Sequence, residues 1–282
     1  MSKELIVKII DEAKSVNSIS TFGISGGEPF LYLDELLFAI SLATKSGFKT
    51  TCTTNGFWAV SPKATVEIMM ELKKAGLSHL SVSIDEFHLK FVPVDNIKRI
   101  LKVARQIDLP VFLGSVVTKT SKRLSAISEL LGDDLLGFPI VEVPCLPVGR
   151  AKEKIKSDSF LYSSQLPAKK CRNMDTIVIL PDGSVYPCCS QAGMTSPLLL
   201  GSIYNSFLKD ILKNCQRNLF CNILLTKGPI WFYNVLKNEF NITELRDKYV
   251  DICDICNYIL DNNKYVKLLK EHLSKNKLSS EL

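Results

Sequence analysis

A chain of 282 residues, 46% of them hydrophobic, is long enough to bury one large core or one large and one small core. Its longest apolar run, Leu36 to Ala43, contains a serine and is too short to span a bilayer, while Glu4, Asp11 and Glu12 make Met1 to Lys14 an amphipathic helix and not a signal peptide, so the expected compartment is the cytoplasm, with no membrane partner. A net charge of +6 is modest and its lysines are scattered until Lys264 to Lys277, a solvated helical face, which gives nucleic acid binding little support.

Helix-like Lys3 to Val16 leads to an apolar strand, Ile19 to Ile24. Helix Leu33 to Thr44 precedes strand Phe48 to Thr53, and helix Pro62 to Ala75 precedes strand Leu80 to Ile84. The pattern continues with helix Val94 to Ile107, strand Val111 to Val117, helix Leu124 to Leu131 and strand Ile140 to Val143. Regular alternation of this kind predicts right-handed crossovers and a parallel sheet. Near Ala151 a charged connector, Lys152 to Lys156, opens a second region that holds most of the cysteines, so the predicted domains are residues 1–150 and 151–282. There, Thr176 to Leu180 and Ser184 to Tyr186 flank Pro181-Asp182-Gly183 as a β-hairpin. Tyr204 to Asn218, Pro229 to Glu239 and Glu244 to Cys256 are predicted helical.

Polar and glycine-bearing segments follow the strands: Gly26 to Glu28, Thr54 to Gly56, Asp85 to His88, and Pro147 to Arg150. Ligands of parallel sheets and α/β barrels bind at the strands' carboxyl ends, so these segments are expected to meet around one cleft. The two adjacent glycines let the backbone turn sharply, and Glu28 offers a carboxylate suited to an ammonium group.

Nine cysteines without an export signal argue against a disulfide framework and for metal ligation. A hairpin brings Cys171 and Cys188 toward one open end, and Cys253-Asp254-Ile255-Cys256 places two thiols on one face of a helical turn. Four thiolates suit a tetrahedral zinc and a 4Fe-4S cluster equally well. Cys189, Cys215 and Cys221 are left as spare ligands or buried thiols.

Gly26-Gly27-Glu28-Pro29, Thr54-Asn55-Gly56 and Ser83-Ile84-Asp85-Glu86-Phe87-His88, each after a strand and in this order, resemble the radical S-adenosylmethionine (radical SAM) superfamily. Cys171, Gly183 and Cys188, spaced Cys-x11-Gly-x4-Cys, resemble the opening of its SPASM or twitch extension. The resemblance implies an α/β fold: a partial (β/α)6 TIM-like barrel missing its first strand, then a small α+β SPASM/twitch-like domain. It implies that Gly26, Gly27 and Glu28 hold the methionyl amino group of S-adenosylmethionine, that Ser83 and Asp85 lie near its ribose or carboxylate, and that Asn55 and Gly56 shape the cleft floor. Arg150 falls in a stretch that flanks the adenine in some relatives, or that is a simple interdomain turn. Cys171, Cys188, Cys253 and Cys256 would hold an auxiliary 4Fe-4S cluster, which the resemblance favours over zinc.

The implied activity is hydrogen abstraction by a 5'-deoxyadenosyl radical from a peptide or small protein, in peptide maturation, with an electron donor such as flavodoxin or ferredoxin. Cys145 is a candidate hydrogen-atom donor or else a buried structural thiol, and His88 a substrate contact or proton carrier or else a packing residue. One departure stands out. The Cys-x3-Cys-x2-Cys triplet that holds the catalytic cluster in the superfamily does not occur in this sequence. The expectation is that the first strand and its loop are missing, by start-codon choice or by deletion, leaving Ile19 to Ile24 as an unpaired edge, and that the chain as given is then inactive. The alternative expectation is a non-catalytic binding protein that keeps the cleft and the cysteine-bound metal; a third is a zinc-stabilised domain without SAM chemistry.

Overall fold

A computed structural model, which describes residues 1–280, divides the chain into two compact units, Met1–Pro144 and Cys145–Leu282. In the first, α1 (Lys3–Lys14), β1 (Thr21–Ile24), α2 (Leu33–Lys45), β2 (Lys49–Thr54), α3 (Pro62–Ala75), β3 (His79–Ser83), α4 (Glu86–Leu89), α5 (Val94–Ile107), β4 (Val111–Val117), α6 (Leu124–Leu131) and β5 (Ile140–Pro144) follow one another. The strands form one parallel sheet in the order β1-β2-β3-β4-β5. Because the order never reverses, right-handed crossovers lay every connecting helix on one side, the arrangement of a barrel wall and not of a doubly wound sheet. Helix packing agrees, since α1 lies on α2, α2 on α3, α3 on α5 and α5 on α6.

Burial alternates along the strands as that one-sided layer requires. Cys52 and Thr54 of β2, Leu80 and Val82 of β3, and Val111 and Leu113 of β4 are buried toward the helices, where Leu72, Ile97, Ile100 and Leu101 complete the core. Thr51, Thr53, Ser81, Ser83, Phe112 and Gly114 occupy the opposite face and are half-buried or exposed. Local signals set the helix ends. Ser61 accepts from the Ala64 N–H ahead of Pro62 to start α3, and Gly76, at φ 100°, ends it where a Cβ would strike Thr44. β1 pairs on one side only, with β2, as expected of an edge.

The second unit carries α7 (Gly149–Lys154), β6 (Val178–Ile179), β7 (Ser184–Tyr186), β8 (Gly201–Ser202), α8 (Leu208–Arg217), α9 (Leu219–Thr226), α10 (Ile230–Asn238), α11 (Ile252–Leu260) and α12 (Asn263–Ser280). β6 and β7 are the expected hairpin: Gly183 takes φ 80° in the turn and the Asp182 carboxylate accepts the Ser184 N–H at 2.9 Å. β8 adds a third antiparallel strand. Three expectations are corrected here. The connector Lys152 to Lys156 is mostly helix, in α7. The helix expected from Tyr204 begins only at Leu208, because Asn205 and Ser206 N–H groups turn back onto Ser202. The helix expected from Glu244 begins at Ile252, where Asp251 caps it through the Cys253 and Asp254 N–H groups.

Candidate cofactor sites

In the first unit, the loop after β1 holds Gly26 and Gly27 at φ 91° and 56°, both exposed, with open space where a side chain would stand. Left-handed backbone at both positions turns their peptide groups outward over the sheet's carboxyl edge. Glu28 follows, and its carboxylate is fixed from two directions. Oε1 accepts from Thr54 Oγ1 at 2.8 Å and from the Phe30 N–H at 3.2 Å, and Oε2 accepts from the Asn55 N–H at 2.7 Å. A carboxylate has about four acceptor positions, so Oε2 keeps one for a further donor such as an ammonium.

Thr54, buried at the end of β2, is the hub of this arrangement. While it donates to Glu28, its oxygen accepts from the Gly56 N–H at 3.1 Å and the Trp58 Nε1–H at 3.0 Å. Trp58 stacks on Phe30 with centroids 4.6 Å apart, tying the loop after β1 to the loop after β2. Gly56 is at φ 79°, where a Cβ would come within 2.8 Å of Ile97 Cδ1. Asn96 of α5 donates to the Gly56 and Phe57 carbonyls, and Arg99 to the Ala59 carbonyl. Asn55 acts through its backbone, because its side chain is engaged by the Phe57 N–H. Thr54 stands in the Thr54-Asn55-Gly56 motif but its bond to Glu28 had no signal in the sequence, and neither did the roles of Trp58 and Asn96.

After β3, Asp85 is almost fully buried, at 1% exposure, and caps α4 through the Phe87 and His88 N–H groups. Its Oδ1 lies 2.9 Å from His88 Nδ1. The hydrogen bond from Asp85, opposed by burial and assisted by the charges of Asp85 and Glu28, raises the His88 pKa. Burial by itself would raise the Asp85 pKa, but the hydrogen bond and charge of His88, with the His88 and Val116 N–H groups, lower it. Glu28 bonds the Asn55 N–H and its charge reaches His88, and the parallel sheet puts the segments after β1, β2 and β3 at one edge. Ser83, the last residue of β3, is half-buried and in register with Gly114.

In the second unit, Cys171, Cys188, Cys253 and Cys256 line one cavity with Met174, Leu198, Leu224 and Ile252 around them. Burial, moderated by the Ser190 N–H and reinforced by Cys189 and Cys171, pushes the Cys188 thiol up to about 11. Burial, then Asp251, Cys188 and Cys171, pushes Cys253 up to about 12. Cys256 is raised further by burial and by its three sulfur neighbours. Among the described residues no group of three or more His, Cys, Asp or Glu is drawn close enough to hold a metal ion as it stands, and the cavity measures about 20 Å³. A four-iron cluster therefore needs the thiols to draw back. The donor set nevertheless fits one: four thiols line a single apolar pocket, and neighbouring thiols help to raise the pKa of Cys188, Cys253 and Cys256, which a cation would relieve.

The remaining expected residues lie apart from that cavity's lining. Cys145, directly after β5, is buried, its thiol within 3.8 Å of the Leu146 carbonyl. Arg150 is exposed on α7. Cys189 is exposed, and Cys215 and Cys221 hydrogen-bond each other, which lowers the pKa of Cys215 and raises that of Cys221.

A parallel half-barrel with Gly-Gly-Glu at its carboxyl edge and a four-thiol pocket in a second unit define a cofactor-dependent redox class of protein. Residues 1–121 match the Radical SAM superfamily, and residues 171–257 match SPASM, an iron-sulfur cluster-binding domain. A Bacillus subtilis (strain 168) protein described as "Putative peptide biosynthesis protein YydG" is 32% identical over 284 residues, covering 98% of this chain and 88% of the relative. The crystal structure of BtrN in complex with AdoMet and 2-DOIA aligns at a TM-score of 0.47 and 14% identity, over 79% of this chain and 74% of that one. The chain belongs to the radical SAM superfamily and carries a SPASM domain. Its cofactors are accordingly S-adenosylmethionine and iron-sulfur clusters. Among the described residues no helix is long and apolar enough to cross a membrane.

Proposed function

We propose that this is a cytoplasmic enzyme of peptide maturation in which residues 1–150 bind S-adenosylmethionine and residues 151–282 hold one auxiliary 4Fe-4S cluster through Cys171, Cys188, Cys253 and Cys256. A peptide is the substrate, as the printed name of the Bacillus subtilis relative suggests. When bound beside a reduced cluster, S-adenosylmethionine supplies abstraction of a hydrogen atom from an unactivated carbon. The chain's own residues hold and shield it. Gly26 and Gly27 turn backbone carbonyls toward the methionyl amino group, Glu28 accepts from that group at its free Oε2 position, and the Asp85–His88 pair bounds the other side of the cleft beside Ser83. Electrons come from a flavodoxin- or ferredoxin-type donor. Hydrogen abstraction by this cofactor requires a Cys-x3-Cys-x2-Cys triplet, which does not occur in the sequence.

The observation that carries this reading is the Glu28 carboxylate, next in sequence to the Gly26-Gly27 turn and held by Thr54, Phe30 and Asn55 with one acceptor position left. Glu28→Gln keeps the size and the contact with Thr54 but removes the charge. Its affinity for S-adenosylmethionine, measured by calorimetry, should fall about tenfold or more, the worth of one charge-assisted hydrogen bond. Unchanged affinity would remove Glu28 from the cofactor site. For the activity, protein that includes the triplet is reduced anaerobically with S-adenosylmethionine and peptides encoded beside its gene. The expected products are 5'-deoxyadenosine and a peptide of altered mass or deuterium content; neither appearing would refute peptide modification.

A further inference from the structure

The four cysteines of the second unit account for the ligands of a cluster but not for the loop that follows Cys188. That loop is built tightly around two of them. The Ser190 N–H donates to Cys188 Sγ at 3.3 Å, and Ser190 lines the same cavity as Cys253, whose thiol pKa its side chain lowers. Ser190 Oγ also accepts the Ala192 N–H at 3.2 Å, which closes the turn on itself and sets the hydroxyl's direction. Gly193 then passes so close that a Cβ there would lie 2.9 Å from Cys188 Cβ and 3.0 Å from its sulfur. Asn257, one residue beyond Cys256 on α11, donates to the Ala192 carbonyl at 3.3 Å and pins the loop to the helix that bears the other two thiols. Ser190, Ala192 and Gly193 all line the cysteine cavity.

We propose that Ser190 is a positioning residue that sets the reduction potential of the auxiliary cluster, by donating its N–H to Cys188 and its hydroxyl to Cys253. The inference rests on the four cysteines holding a cluster. Its physical basis is that an added electron increases the negative charge on the ligating sulfurs, and donors to those sulfurs stabilise that charge. In a pocket lined mainly by apolar side chains such a donor acts at low local dielectric, where a hydrogen bond is stronger than in water. Of the two contacts, only the hydroxyl can be removed by substitution without altering the backbone, so the side chain is the part open to test.

The measurement is an EPR-monitored redox titration of the anaerobically reconstituted full chain, alongside its iron and sulfide content. Ser190→Ala should bind the same iron and sulfide, yet show about a tenfold smaller reduced-to-oxidised ratio at the wild-type midpoint, the expected effect of one charge-assisted hydrogen bond that strengthens on reduction. For a one-electron couple that is a shift of about 59 mV to more negative potential. Ser190→Thr keeps the hydroxyl and should return to the wild-type value. Equal potentials in Ser190→Ala and wild type, with clusters present in both, would overturn the role of Ser190 and leave the cluster assignment standing. A wild type that binds zinc, or no iron and sulfide, would overturn both. Should Ser190→Ala fail to load, resonance Raman spectra of the wild type in deuterated water decide: a shifted Fe–S(Cys) stretch supports the proposal, and an unshifted one overturns it.

Discussion

Thr54 shows how much one buried hydroxyl can organise. It donates to Glu28 and accepts from Gly56 and Trp58, so its removal leaves two N–H groups and a carboxylate position unsatisfied. Thr54→Val conserves shape and should cost about 2–4 kcal/mol in urea unfolding, since each buried donor left unpaired costs roughly 1–3 kcal/mol. A cost near zero would mean that the loops after β1 and β2 hold together without it. The Asp85–His88 pair makes a pH-dependent contribution with a definite sign. His88, raised by its bond to Asp85, stabilises fully below its unfolded value, about 6.5, and this is lost as pH rises through the raised folded value. Asp85 is lowered, with His88 outweighing burial, so its contribution is present above its unfolded value, about 3.9, and is lost as pH falls through the folded value. Both act in full between about pH 4 and 6.5. An NMR titration should place the His88 midpoint above that of an ordinary imidazole; a midpoint at or below it would dissolve the pair.

At the scale of elements, the region ahead of α11 is instructive because apolar periodicity from Glu244 onward suggests a helix that does not form. Asp254 explains why. Its carboxylate turns back to accept the Val250 N–H at 2.9 Å and pairs with Arg246 at 2.6 Å, while the Arg246 guanidinium lies 4.5 Å from the Tyr249 ring and 4.4 Å from the Tyr258 ring. This folded strap over Asp254 competes with helix in residues 244–251, and the helix begins just where Cys253 and Cys256 need it. Asp254→Asn should cost about 2 kcal/mol in thermal or urea unfolding, less than the roughly 3–5 kcal/mol for breaking a fully buried pair because the Arg246 side chain is 32% exposed. It should also reduce the iron bound per chain. By contrast, α3, α5, β4 and α6 are legible residue for residue in the sequence, because Ser61-Pro62 and Gly76 are local signals that no distant contact overrides. β8, two residues long, offered no such signal, and α9, apolar without a clear period, offered only its Asn218 cap, which accepts the Phe220 and Cys221 N–H groups. The same divide runs through the sites. Glu28, Thr54, Asp85 and the four cysteines stand in motifs, whereas Trp58, Asn96 and Ser190 act through neighbours that only folding supplies.

For the molecule as a whole, each unit has its own buried apolar core and the four thiols belong to the second, so metal binding is separable from the barrel fold. The first unit is held by an apolar layer in which Leu72, Leu80 and Ile100 are wholly buried. In the second, packed around Phe232, Leu236 and Ile259, four thiols line one pocket, and burial pushes Cys188 up to about 11 and Cys253 up to about 12, so at neutral pH these two are protonated. Metal or cluster uptake requires thiolates, so loading should release one proton for each thiol bound and weaken as pH falls. Zinc added anaerobically to the metal-free chain in dilute buffer with a pH indicator tests the release directly. Hydrogen exchange on the same samples tests where the stabilisation lies: amides of α11 and of the β6–β8 sheet should gain protection on loading, while those of β2, β3 and β4 keep what they had, because binding stabilises what holds the ligand and nothing else. Uptake without proton release, or protection gained in β2–β4 in place of α11, would mean that the metal is bound by residues other than these four.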